Sequence, residues 1–109
     1  MLEDFKIKVF LCLASQGSFT AAARELGVSQ PAVSQNIAEL EKATGQQLFA
    51  RSQGAIALTP QGELFKRYAL RIAENYEKIN VIFADYDSFK DYSERYGELV
   101  ADPRFDIVK

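Results

Sequence analysis

The chain has 109 residues, 48% of them hydrophobic and 26% charged, which is the length and composition of a single small globular domain. Its net charge of −2 excludes a bulk basic surface, and the absence of histidine with only one cysteine excludes a histidine-based catalytic pair, a histidine metal site and an internal disulfide. No apolar run reaches the length of a membrane span, and a single cysteine suits a reducing compartment, so we expect a cytoplasmic protein. Because the residues for those catalytic and metal sites are missing, we expect a protein that is not an enzyme and uses no cofactor or metal.

The charge is unevenly distributed along the chain. Residues 1–80 carry nine basic and eight acidic side chains, whereas residues 81–109 carry four basic and seven acidic ones. The acidity therefore belongs to the C-terminal part. Because the front of the chain is nearly neutral, any polyanion binding there has to come from the arrangement of side chains rather than from bulk charge.

Two helices are predicted in the first 27 residues. Apolar side chains recur at helical spacing over Glu3–Ser15, and Gln16–Ser18 ends that helix. Cys12 lies inside it and is expected to be a small core residue rather than a redox sensor. A second, short helix runs from Thr20, which is predicted to be its N-cap, to Gly27 at its C-terminal end.

A third helix is predicted directly after this turn. Ser29 is its expected N-cap, Pro31 falls in the first turn where proline is tolerated, and Gly45 ends the helix. Two helices that are joined by so short a turn are typical of the helix-turn-helix unit.

A β-hairpin, or wing, is predicted after the third helix. Residues 47–51 and 55–59 contain apolar side chains that favour strands, and the intervening segment 52–54 contains a glycine. The expected fold is therefore mainly α: a winged helix-turn-helix of three helices and a two-stranded wing, followed by a long dimerisation helix.

That long helix is predicted to open at Thr59-Pro60 and to meet no strong breaker before Gly97. The predicted organisation is a winged helix-turn-helix domain over residues 1–58, a linker helix over residues 59–97 and an acidic tail over residues 98–109.

Apolar residues recur every seven positions along this helix, as in a coiled coil, and predict a homodimer or a higher oligomer. Packing of the same residues within one chain is the alternative. The predicted dimerisation residues, here called the heptad seam, are Phe65, Ile72, Tyr76, Ile79, Phe83 and Tyr86.

The two sides of the third helix differ in chemistry. Val33, Ile37 and Leu40 share one side and are expected to face the core. The opposite side is small and polar over its first two turns, with side chains that can bond to phosphates and base edges, and this favours DNA reading over a plain solvated surface. Glu39 and Glu41 are expected to be solvated or in local ion pairs.

Several segments at fixed spacing resemble the amino-terminal domain of LysR-type transcriptional regulators. They are Gly17–Leu26, Ser29–Glu41, Gly45 with Leu48-Phe49 and Arg51, and Leu58–Gly62. The resemblance covers residues 1 to about 85. It implies a winged helix-turn-helix and a dimerising linker helix that bind interrupted palindromes in the double-stranded DNA of promoters.

The resemblance also implies the contact residues. Base contacts are expected from positions matching Gln30, Pro31, Ser34 and Gln35, and phosphate contacts from positions matching Thr20, Ser29 and Arg51. Apart from the resemblance, we expect Ala38, which shares the outer side of the third helix, and Ala32 to lie close to the DNA. The wing departs from the family, since residues 52–57 lack the arginines that many members place there.

The segment after residue 85 differs from the hinge that the resemblance leads one to expect. Family members carry an effector-binding domain beyond the linker helix, whereas Tyr86, Phe89, Tyr92 and Tyr96 here form an aromatic stripe that suits closure of a dimer core better than a flexible hinge. We therefore expect a regulator without a ligand-binding domain or small-molecule effector site. The alternatives are a fragment that docks on a further domain, and an interaction module that heterodimerises with related full-length regulators and sequesters them.

Overall fold

The computed structural model describes residues 3–52 and 54–84. Its elements are α1 (Phe5–Gln16), α2 (Phe19–Leu26), α3 (Gln30–Thr44), β1 (Phe49–Ser52), β2 (Ala55–Leu58) and α4 (Pro60–Ala84). One compact unit is Asp4–Ile72, and the second includes Glu3 and Ala73–Ala84 of the described residues. The first unit takes in the start of α4. The division predicted from the sequence stays a prediction, since residues 85–109 lie outside the described part.

Helices α1, α2 and α3 pack against one another around a single apolar core. Asp4 caps α1, where its carboxylate accepts a hydrogen bond from the Ile7 amide at 3.2 Å, and Gly17 ends the helix in the left-handed conformation at φ 68°. The largest fully buried side chains of the core are Phe10, Leu13, Leu48, Val9 and Val33.

Helix α2 begins earlier in the chain than predicted. Its N-cap is Ser18, whose hydroxyl accepts a hydrogen bond from the Ala21 amide at 3.2 Å, so the prediction of Thr20 as N-cap is wrong. Capping by Ser18 makes Phe19 the first helical residue and buries its ring, while the Thr20 side chain stays exposed.

The turn between α2 and α3 closes as a Schellman motif. Gly27 adopts φ 70° and donates to the Arg24 carbonyl at 3.3 Å, and the Val28 amide donates to the Ala23 carbonyl at 3.0 Å. Ser29 then caps α3, since its hydroxyl accepts from the Ala32 amide at 3.2 Å. The predicted helix-turn-helix and its capping by Ser29 are confirmed.

The wing is an antiparallel pair in which Phe49 lies opposite Leu58 and Arg51 lies opposite Ile56. Leu48 and Phe49, where the wing begins, are here called the root of the wing and are held by two sets of contacts. The Phe49 ring lies 5.2 Å from the Phe10 ring, and the Glu41 carboxylate accepts hydrogen bonds from the Leu48 amide at 2.8 Å and the Phe49 amide at 3.3 Å. The prediction that Glu41 is solvated or ion-paired is therefore wrong, because buried backbone amides need an acceptor and its carboxylate provides one.

Thr59 joins the wing to α4. Its hydroxyl donates to the Gln47 carbonyl at 2.6 Å and accepts from the Gly62 amide at 2.9 Å, while its own amide donates to the Leu48 carbonyl at 3.0 Å. A side chain on Gly62 would run into that Leu48 carbonyl. The start of α4 therefore lies directly against the backbone at the root of the wing.

Cys12 is a core residue, as predicted, with 8% of its surface exposed. Burial, followed by the hydrogen bond that the thiol donates to Glu25 Oε2 at 2.6 Å, raises the pKa of Cys12 to about 11. A neutral thiol is inert as a nucleophile, so this environment does not suit a redox sensor.

We expect the thiolate absorbance of Cys12 to appear near pH 11 in the folded protein and about two and a half pH units lower in urea. Because the folded pKa is raised, the Cys12 contribution to stability is complete below its unfolded pKa of about 8.5 and is lost as the pH rises through about 11. A native titration that coincides with the one in urea would contradict the buried, hydrogen-bonded thiol.

Candidate nucleic-acid interface

The outward side of the N-terminal half of α3 forms an open, shallow groove. Its lining residues, here called the reading face, are Gln30, Pro31, Ser34, Gln35 and Ala38. Gln30, Pro31, Gln35 and Ala38 are exposed, and Ser34 is half-buried. The opposite side of the same helix buries Val33, Ile37 and Leu40, which orients the reading face away from the core as the sequence predicted.

The end of α3 next to the reading face is suited to anions. No acidic residue lies in its first turn, so the positive end of the helix dipole is not neutralised by a carboxylate. Ser29 is exposed, and its hydroxyl accepts the capping hydrogen bond with its own proton left available for donation. Ala32, which was predicted near the DNA, supplies the capped amide.

Thr20 lies beside the reading face. Its hydroxyl is 3.4 Å from Gln30 Oε1, a long hydrogen bond that joins the second position of α2 to the first residue of α3. The structure thus brings a predicted phosphate-contacting residue next to a predicted base-contacting residue.

Arg51 is exposed on β1 and has a contact that the sequence did not reveal. Its guanidinium carbon lies over the Phe19 ring, 4.5 Å from the ring centroid, which is the distance of a cation–π interaction. No local pattern links the two residues, since they belong to different elements and lie far apart in the chain.

The heptad seam falls in both units. In the first unit Phe65 is half-buried with its ring 4.6 Å from the Phe10 ring, so it contributes to the core of its own chain, whereas Ile72 is 40% exposed. In the second unit Tyr76 and Ile79 are half-buried and Phe83 is 64% exposed. Tyr86 lies outside the described residues, and the part of every seam residue in a dimer stays a prediction.

Neither a metal site nor a membrane-spanning helix is found in the described ranges. Within residues 3–52 and 54–84, no three His, Cys, Asp or Glu side chains are grouped closely enough to hold a metal ion. None of the helices described there combines the length and the apolar character that a membrane crossing requires.

The family of bacterial regulatory helix-turn-helix proteins called lysR matches residues 6–63 of the chain. The chain belongs to the LysR family. The match includes the helix-turn-helix, both strands of the wing and the first residues of α4.

Two LysR-type relatives show how far the likeness extends. The transcriptional regulator BenM of Acinetobacter baylyi is 33% identical over 78 residues, which are 72% of this chain and 26% of BenM. The uncharacterised regulator YdcI of Escherichia coli K12 is 40% identical over 68 residues, which are 62% of this chain and 22% of YdcI. The chain thus spans about a quarter of the length of these relatives.

Solved structures of the LysR family confirm the predicted fold class. The BenM DNA-binding domain, crystallised with catB site 1 DNA, matches with a TM-score of 0.74 at 29% identity and covers 82% of this chain and 96% of that chain. The LysR family regulator CbnR matches with a TM-score of 0.61 at 30% identity and covers 84% of this chain and 29% of that chain.

Proposed function

We propose that the chain is the sequence-specific, double-stranded DNA-binding part of a transcriptional regulator and acts as a dimer on an interrupted palindrome. The observation that carries the proposal is the reading face: an exposed, uncharged surface of small and amide side chains at the capped N-terminal end of the second helix of a helix-turn-helix. The likeness to the BenM domain, which was crystallised with DNA, supports it.

The side chains of the reading face match the edges of bases in the major groove. A glutamine amide can both donate to and accept from adenine, so Gln30 and Gln35 are the proposed direct readers. Pro31 and Ala38 are short and apolar, which suits contact with a thymine methyl group and lets the helix approach the groove floor closely. Ser34 can donate to or accept from several bases.

Phosphate contacts would fix the position of this helix on the duplex. Ser29 offers a hydroxyl donor beside the reading face, and Thr20 would exchange its long hydrogen bond to Gln30 for one to a phosphate. Arg51 offers a charged fork of N–H groups from the wing. Because the front of the chain is nearly neutral, the Arg51 contact contributes a large share of the electrostatic attraction.

The proposed dimer forms through the heptad seam of α4. A two-fold symmetric pair of reading helices recognises two inverted half-sites, and the spacer between the half-sites is what makes the palindrome interrupted. Support comes from the heptad spacing and from the exposure of Ile72 and Phe83, which are large apolar side chains.

Selection of binding sites from a pool of random duplexes tests the proposal. We expect the pool to converge on two inverted half-sites separated by a spacer, here called the operator. A pool that does not converge would contradict it, and capture of a co-expressed full-length LysR-type regulator by the same protein would then favour the sequestering module. The cytoplasmic location and the absence of enzyme activity stay predictions.

Gln35→Ala is expected to flatten the preference at one base pair in each half-site. One bidentate contact discriminates by about 1–3 kcal/mol, so affinity for the operator should fall by roughly five- to 150-fold per half-site contact, while affinity for scrambled DNA stays almost unchanged. Gln46→Ala removes another exposed glutamine, beyond the C-terminal end of α3, and is the matched control. Equal losses on operator and scrambled DNA would make Gln35 a positioning residue instead.

Arg51→Ala is expected to change the salt dependence instead of the sequence preference. Loss of one phosphate contact per subunit should reduce the slope of log affinity against log salt by about 0.9 per contact, or roughly 1.8 per dimer. The measurement is a salt titration on the operator, with Arg71→Ala, an exposed arginine of α4, as the control. Parallel lines for wild type and Arg51→Ala would show that Arg51 does not contact the backbone of the DNA.

A further inference from the structure

The direction of Arg51 follows from the pleat of β1. Phe49, two residues earlier, is buried against Phe10, and side chains two apart in a strand lie on the same face. Arg51 therefore lies on the inner face of the wing, directly across from the half-buried Ile56, although its own side chain is exposed. An arginine on the inner face of a hairpin needs a neighbouring group against which its guanidinium can pack.

Phe19 provides that surface. It is the first residue of α2, it is 8% exposed, and its ring lies 4.5 Å below the guanidinium carbon. A guanidinium carries five N–H donors around its central carbon, so a contact with a single ring leaves donors available for other partners. A phosphate could therefore be bound by two parallel hydrogen bonds without displacing the ring.

We propose that Phe19 is a positioning residue that holds the Arg51 guanidinium in place for a DNA phosphate and thereby joins the wing to the helix-turn-helix. This inference rests on the proposed function. A restrained guanidinium loses less conformational freedom when it binds a phosphate than a freely moving one, so the platform strengthens the contact that Arg51 makes. It also compensates for the lack of further arginines in the wing.

A double-mutant cycle on the operator separates this role from that of an ordinary core residue. Phe19→Leu keeps an apolar side chain of similar size but removes the aromatic face. We expect it to weaken operator binding roughly two- to tenfold per subunit in the wild-type background, because an unsupported Arg51 side chain then has to be immobilised on binding, and to have no further effect in Arg51→Ala. Phe5→Leu, a change of the same kind at an exposed position of α1, should leave binding unchanged in both backgrounds.

Two results would overturn the proposal: equal losses from Phe19→Leu in both backgrounds, or no loss in either. A wild type that binds no operator would instead overturn the proposed function, and this would be seen before any variant is compared. A separate NMR measurement needs no DNA and no stable Phe19 variant. The side-chain NMR signals of Arg51, assigned by their loss in Arg51→Ala, should be shifted upfield by the ring, and unshifted signals would also overturn the proposal.

Discussion

Gly62→Ala is expected to lower the midpoint of thermal unfolding by up to about 16 °C, after the gain in helix propensity of alanine over glycine is subtracted. A methyl group at this position would run into the Leu48 carbonyl oxygen and lie 3.0 Å from both the Leu48 carbonyl carbon and Leu58 Cδ2. The Leu48 carbonyl is backbone and accepts from the Thr59 amide, so it cannot move aside as a flexible side chain could. Overpacking of this kind costs about 1–3 kcal/mol, and each kcal/mol shifts the midpoint of a small domain by about 4–8 °C.

The sign of this effect makes the test informative. In an exposed helix, glycine to alanine stabilises by about 1 kcal/mol, so a fall in stability can only come from the close approach. Gln61→Ala, at the exposed neighbouring position of α4, is the control and should stay near wild type in thermal denaturation followed by circular dichroism. Unchanged or increased stability of Gly62→Ala would contradict the packing of α4 on the root of the wing.

Ile79→Glu is expected to convert the proposed dimer to a monomer and to reduce operator affinity by about tenfold or more. Ile79 belongs to the heptad seam, where a dimer would place two new carboxylates close together and away from water. A monomer contacts only one half-site and loses the effective concentration that links the two reading helices. Sedimentation velocity measures the first effect, and titration of the operator measures the second.

Val81→Glu is the matched control for this variant. Both residues are β-branched and apolar, but position 81 lies two residues further along α4, about 200° around the helix from the seam, and is 38% exposed. It adds the same charge to the same helix and should leave the protein dimeric. If Ile79→Glu also sediments as a dimer, the subunits do not associate through the seam.

The helix-turn-helix could be predicted from the sequence because its signals are local. Gly27, Ser29 and Gly45 each act within one turn of their own position, and the structure places all three at the predicted caps. The start of α2 was misassigned for a reason that is equally local. Ser18 and Thr20 are both good caps, and the choice between them depends on whether Phe19 is buried in the core, which no nearby residue indicates.

The contacts that position the wing could not be predicted because they join different elements of the fold. The Glu41 carboxylate holds the Leu48 and Phe49 amides, and the Phe19 ring supports Arg51. From residue type alone, Glu41 and Arg51 could equally well be exposed charges with no structural contact, and Phe19 could be an ordinary core aromatic. Only the packing of α2, α3 and β1 around the core brings these groups together.

The ratio of the dissociation constants on scrambled DNA and on the operator tests the central claim most directly. A regulator that reads bases from α3 should bind the operator at about 10⁻⁸–10⁻¹¹ M and scrambled DNA at about 10⁻⁴–10⁻⁶ M at physiological salt. Specific binding is typically about 10³–10⁷ tighter than non-specific binding by the same protein, so we expect a ratio of at least about 10³ for the wild type. A ratio near one, with both duplexes bound only in the non-specific range, would contradict base reading by α3.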